Sequence, residues 1–168
     1  MKVLQMEQVF WLTEGRLAGR PGPVEAPWDA PALRAGGIEV VLSLNSQADG
    51  EALAAAGLVH HHLPMPPLLP LTGLLQDLLL ESLEPVLERL HEELTAGRSV
   101  LVHCHAGKDR TGLAMAAYLV RYEGLDVEEA IDRVRAVRPI AMSAPGYLET
   151  ARRFAEQEAA RRREGADG

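Results

Sequence analysis

The order of segments along this chain constrains its fold more than any single residue does. Short apolar or β-branched runs at Ile38 to Leu44 (IEVVLSL), Leu58 to Leu63 (LVHHHL) and Ser99 to His103 (SVLVH) alternate with stretches of helical character. Strands that alternate with helices build layered α/β domains. The first and last runs read as strands buried on both faces. An alanine-rich stretch from Gln47 to Ala56, stopped by Gly57, predicts a short helix. Thr72 is placed to cap a long helix from about Gly73 to Ala96, with Leu75, Leu78, Leu79, Leu83, Val86, Leu87, Leu90 and Leu94 at helical spacing. Pro85 is expected to kink or divide it. Arg110 to Glu123 closed by Gly124, Val127 to Val137 capped by Asp126, and about Pro145 to Arg163 complete the helices.

With 168 residues, 47% apolar and 24% charged, residues 1–168 suit a single domain able to bury a core without disulfides, and residues 164–168 are expected to fray. The net charge of −7 offers no diffuse positive field to a polyanion, so no nucleic-acid partner is expected. The N-terminus lacks an apolar run of secretory length, so a cytoplasmic location is expected. The most apolar stretch, Leu63 to Leu80, is interrupted by four prolines, Gly73, Gln76 and Asp77, so no membrane span is expected. The lone cysteine, Cys104, excludes an intrachain disulfide and a multi-cysteine zinc site and fits a reducing compartment. His60, His61 and His62 would point to alternate faces of a strand, so they are not expected to hold a metal together.

One loop carries the chemistry. Between the strand SVLVH and the helix at Arg110 lies HCHAGKDRTG, residues 103–112. A loop at the carboxyl end of a parallel strand is where open α/β sheets place ligands. The residues between Cys104 and Arg110 can curl into a half-ring of backbone N–H groups, and the helix that follows adds its free amides and positive dipole end. Such a ring holds phosphate or another tetrahedral oxyanion. His105, Ala106, Gly107, Lys108, Asp109 and Arg110 would line it, with the planar fork of Arg110 gripping two oxygens and small residues keeping the rim low. Cys104 would sit on the floor, where dipole, amides and guanidinium all favour the thiolate nucleophile. In-line attack on a phosphomonoester would give a phosphocysteine that water hydrolyses. Thr111 can donate its hydroxyl to the departing sulfur, and His103 is expected to fix the loop by hydrogen bonds.

At these residues the chain resembles the protein tyrosine phosphatase superfamily, and as a whole it resembles the small atypical dual-specificity (VH1-like) phosphatases. The resemblance spans roughly residues 9 to 155: FWLTEGRLAGRPGP, GIEVVLSL, HHLPMP, the loop itself, VRAVRP and AMSAP. It implies a central, mainly parallel sheet flanked by helices, and hydrolysis of phosphorylated proteins or small phosphomonoesters without metal or other cofactor.

The sequence departs from that family where a proton donor is needed. Relatives carry an aspartate just after the LP-x-P stretch; here that position is Pro67. Ser143 and Tyr147 stand where relatives of this subgroup often have a glutamate and a glutamine. The replacement expected for the general acid is Asp109, because the Lys-Asp-Arg-Thr order resembles bacterial tyrosine and phosphoinositide phosphatases, and its Asp-Arg-Thr end resembles myotubularin-type and Sac-type lipid phosphatases. A role in bracing Arg110 or in capping the helix is the alternative. Asp77 and Glu81 are weaker candidates. Lys108 and His105 are expected to add positive charge that welcomes a second phosphate. Arg133, Arg135 and Arg138 could touch phosphate or an acidic partner, or form a solvated helix face. The leucines from Leu68 to Leu80 are expected in the core, with an apolar lid as the alternative. The expected activity is protein-tyrosine or dual-specificity phosphatase, with a phosphoinositide phosphatase, a phosphate-binding pseudophosphatase and a rhodanese-like sulfur transferase as alternatives.

Overall fold

In the computed structural model, which describes Met6, residues 8–67 and residues 73–167, one five-stranded sheet runs through the molecule. β1 (Phe10–Thr13) and β2 (Leu17–Arg20) form an antiparallel hairpin, and β3 (Val40–Ser43), β4 (Val59–His62) and β5 (Val100–His103) complete the order β1-β2-β5-β3-β4. β5 is the middle strand. It pairs in parallel with β2, from Leu17 opposite Val100 to Arg20 opposite His103, and with β3, from Val40 opposite Val100 to Ser43 opposite His103. Every residue of β2, β3 and β5 is buried, as expected for runs covered on both faces, whereas the edge strand β4 is half open.

The helices are α1 (Ala30–Ala35), α2 (Gly50–Ala55), α3 (Gly73–Thr95), α4 (Arg110–Glu123), α5 (Val127–Val137) and α6 (Tyr147–Asp167). Period-two alternation divides the strands between two cores. Leu17, Val40, Leu42, Val100 and Val102 face α3 to α6, while Ala18, Val41 and Leu101 face Leu33 of α1 and Leu53 of α2. Each fully buried Val, Leu or Ile contributes about 1.5–3 kcal/mol of hydrophobic stabilisation.

Most expected elements stand where the pattern placed them. Asp126 caps α5 by accepting from the Glu128 amide at 2.7 Å, and Gly124 ends α4 in the left-handed region at φ 69°. Four readings change. The β1–β2 hairpin was not expected, because both strands are short and β2 contains Gly19. α3 is not divided at Pro85, which sits inside the helix on its exposed side. Leu78 is 45% exposed, a quarter-turn away from the buried line of Leu79, Leu83, Val86, Leu87, Leu90 and Leu94. α6 continues to Asp167, beyond the expected end at Arg163, since its alanines, glutamates and arginines favour helix and Arg162 donates to the carbonyls of Val120 and Arg121. Thr72, the expected cap of α3, and the leucines of residues 68–72 lie outside the described residues. No helix among the described residues is long and apolar enough to cross a membrane.

Candidate active site

β5 delivers the chain to Cys104, and α4 takes it up again at Arg110. Between them the carbonyls are held from outside. That of His105 accepts from the Gly22 amide at 2.9 Å, those of Ala106 and Gly107 from Arg138 at 2.7 and 3.3 Å, and that of Lys108 from the amides of Met142 and Gly112 at 3.0 and 3.2 Å. The amides of His105 to Asp109 donate to no acceptor among the described residues. A run of unpaired donors at a helix N-terminus is an anion site.

Two glycines permit this curl. Gly107 has φ +65°, and a Cβ there would stand 2.5 Å from the Arg20 carbonyl carbon and oxygen. A Cβ on Gly22 would collide with the Cys104 carbonyl oxygen. Each glycine therefore sets how closely the hairpin strand β2 and the loop approach.

Cys104 is 2% exposed and its Sγ accepts from Thr111 Oγ1 at 3.1 Å. Arg110 is 9% exposed, and its guanidinium is oriented by a bond from Nη1 to the Met65 carbonyl at 3.2 Å. Both line a pocket of about 280 Å³ together with Pro67, His105, Ala106, Lys108, Asp109, Ala144 and Tyr147.

Behind the cysteine lies a polar relay. His103 Nδ1 donates to the Cys104 carbonyl at 3.2 Å, Ser43 Oγ lies 2.6 Å from His103 Nε2, and His60 Nε2 lies 2.8 Å from Ser43 Oγ. Burial pushes the His103 pKa down to about 4, so the ring is neutral near pH 7. A neutral ring that donates through Nδ1 must accept through Nε2, so the Ser43 hydroxyl donates to His103 and accepts from His60. Trp28 packs edge-on against His103 with 4.9 Å between ring centroids. His61, the next residue of β4, instead faces Glu93 at 3.6 Å.

At the rim both expected cations meet a carboxylate. Lys108 Nζ lies 2.6 Å from Asp109 Oδ2 and donates to Ser143 Oγ at 3.2 Å. The other oxygen, Asp109 Oδ1, accepts from the Ala144 amide at 3.1 Å, so Asp109 ties the loop to the turn ahead of α6. His105 Nε2 stands 3.3 Å from Glu25 Oε2, and its Nδ1 is 2.9 Å from Gln47 Nε2. The expected surplus of positive charge is absent from these two positions.

The remaining candidates separate. Asp77 pairs with Arg153 and Glu81 is exposed; neither lines the pocket. Arg133 pairs with Glu123 at 3.0 Å, and Arg135 donates to the Ala141 carbonyl at 3.0 Å. Arg138 holds the loop's own carbonyls, and its guanidinium lies 5.6 Å from the centre of the Phe10 ring. Gly22, Glu25, Ser43, Gln47 and the carbonyl-holding role of Arg138 were not found by sequence reasoning; only the Pro-Gly-Pro after β2 signalled a turn. Tyr147 is 3% exposed, and burial raises its pKa to about 12, which keeps its hydroxyl protonated.

Human "Dual specificity phosphatase 28" is 33% identical over 78 residues, 46% of this chain and 44% of that protein. The Rattus norvegicus "Phosphatidylglycerophosphatase and protein-tyrosine phosphatase 1" is 33% identical over 84 residues, again 46% and 44%. The matched region is thus less than half the length of these relatives. Among solved structures, Tk-PTP in the active form superposes with a TM-score of 0.73 at 24% identity over 89% of this chain and 97% of that one. PTPMT1 in complex with PI(5)P gives 0.73 at 18% over 92% and 99%. Residues 31–157 match the family described as "Dual specificity phosphatase, catalytic domain", and the chain belongs to that family.

Proposed function

We propose that the protein is a cysteine-dependent phosphomonoester phosphatase acting on phosphotyrosine, or on phosphotyrosine together with phosphoserine and phosphothreonine, in a reducing compartment such as the cytoplasm. One observation carries the reading: a buried sulfur that accepts from Thr111, the Arg110 fork and a run of unpaired amides share one small pocket.

The phosphoryl oxygens of a substrate take up the amides of His105 to Asp109 and the free edge of Arg110, which stabilise the charge that builds in the transition state. The Cys104 thiolate attacks phosphorus in line, the P–S bond forms, and the bond to the leaving oxygen breaks. Asp109 supplies the proton to that oxygen; it is the carboxylate that lines the pocket among the described residues. Water then attacks phosphorus, giving its proton to Asp109 as the P–S bond breaks. The electron pair returns to sulfur, where the Thr111 hydroxyl receives it with a hydrogen bond. Neutral His103 takes no proton and holds the Cys104 carbonyl.

A phosphoinositide phosphatase is the second reading, supported by the likeness to PTPMT1 solved with PI(5)P. A phosphate-binding pseudophosphatase is the third, supported by Pro67 at the position of the usual acid.

The test is hydrolysis of p-nitrophenyl phosphate, whose leaving group needs little protonation. Wild-type protein is expected to turn it over, and Cys104→Ser to lose at least about 10³-fold. Phosphate binding without turnover in the wild type would replace this reading by the pseudophosphatase.

A further inference from the structure

The rim of the pocket has an unusual charge balance for a site built to receive a dianion. The lining cation outside the floor, Lys108, is answered by Asp109 at 2.6 Å, and Glu25 stands 3.3 Å from Nε2 of the lining His105, whose Nδ1 faces the Gln47 amide nitrogen at 2.9 Å. The lining cation with no carboxylate within ion-pair distance, among the described residues, is Arg110 on the floor. Arg138 is a further cation near the loop, but its donors are turned onto the loop carbonyls and it does not line the pocket.

Both carboxylates are placed to be felt. The Glu25 side chain is 54% exposed and the His105 side chain 47%, so this pair stands in water at the mouth. The Asp109 side chain is 19% exposed and fixed by Lys108 and the Ala144 amide, so it cannot swing away. A phosphate on the floor meets amides and Arg110. A second phosphate bonded next to the first would leave the floor and arrive beside one carboxylate or the other.

We propose that Glu25, standing against the pocket-lining His105 while Lys108 is held by Asp109, makes the rim a filter for phosphate number, so that the site takes phosphomonoesters with no second phosphate next to the reacting one. This rests on the phosphatase reading for its meaning in catalysis, but the charge selection itself concerns binding. Glu25 is the specificity-determining residue outside the loop, 3.3 Å from the His105 ring of the loop. A unit charge about 6 Å away in water changes the affinity of a dianion by roughly tenfold before salt screening, and by about threefold to fivefold after it.

Binding to Cys104→Ser protein tests this without turnover, using inorganic phosphate and pyrophosphate as probes in isothermal titration calorimetry at low salt. Pyrophosphate is expected to bind no tighter than phosphate despite its greater charge. Adding Glu25→Gln should raise the pyrophosphate-to-phosphate affinity ratio about threefold to fivefold, and Glu156→Gln, which removes an equal charge from exposed α6, should leave the ratio within about 1.5-fold. In the active enzyme, the same ratio is read from inhibition of p-nitrophenyl phosphate hydrolysis. Tighter pyrophosphate binding in the parent protein, or an equal ratio with and without Glu25, overturns the proposal. Absent p-nitrophenyl phosphate turnover overturns the phosphatase reading and leaves the binding ratio to decide the filter.

Discussion

His103 has no exposed surface, and its two ring nitrogens are engaged by Ser43 and the Cys104 carbonyl. An unfolded histidine takes a proton near pH 6.5, whereas burial delays that in the fold to about 4. The unfolded state therefore binds more protons as pH falls below 6.5, so stability is full above that pH and drains away until about pH 4. The loss is about 3 kcal/mol at the acid end. Urea denaturation between pH 7 and 4 should show this slope, and His103→Gln should flatten it. Asp109 poses a different question, because both its oxygens already accept hydrogen bonds. If it is the acid, Asp109→Asn slows alkyl phosphates by about 10²-fold or more and barely affects p-nitrophenyl phosphate. Equal losses on both substrates assign it to bracing the loop.

The loop is held by elements distant in sequence. Arg138, at the end of α5, holds two carbonyls of the half-ring, and Gly22, after β2, holds a third. Replacing Arg138 by Leu frees the Ala106 and Gly107 peptides to rotate. The expected result is a 10- to 100-fold loss in kcat/KM, with weaker inhibition by phosphate and an unchanged far-ultraviolet circular dichroism spectrum. Arg138→Lys should recover part of the activity, since it keeps the charge but not the paired donors. This division explains what could be read in advance. Cys104, Asp109, Arg110 and Thr111 share one short stretch whose spacing alone implies a cradle. Ser43, His60, Glu25 and Arg138 reach it only through strand register and loop packing, which a single chain does not print locally. The β1–β2 hairpin escaped for a related reason: β2 is defined by its pairing with β5, not by any apolar run of its own.

Across the whole molecule, one charged cluster fastens three helices. Arg121 of α4 makes a bidentate pair with Glu84 of α3, at 2.8 Å for each bond, and reaches Glu158 of α6 at 2.5 Å. Glu158 is 7% exposed, and Arg121 also lies over the Phe154 ring at 5.1 Å. Arg121→Met leaves Glu84 and Glu158 with Arg161 as their counter-ion, at 3.5 and 3.6 Å, and should cost about 2 kcal/mol in urea denaturation. The layered architecture was legible because alternation of strand and helix is a pattern of the whole chain; a cluster such as this one was not, because three helices supply it. The strand order has a further outcome during synthesis. A nascent chain that has emerged only as far as residue 95 lacks β5, the strand that in the finished sheet lies between the β1–β2 hairpin and the β3–β4 pair, so those two parts have no hydrogen-bonded edge in common. Until it arrives, two raw edges face the crowded cell, and a ribosome stalled there displays a sheet with its keystone missing.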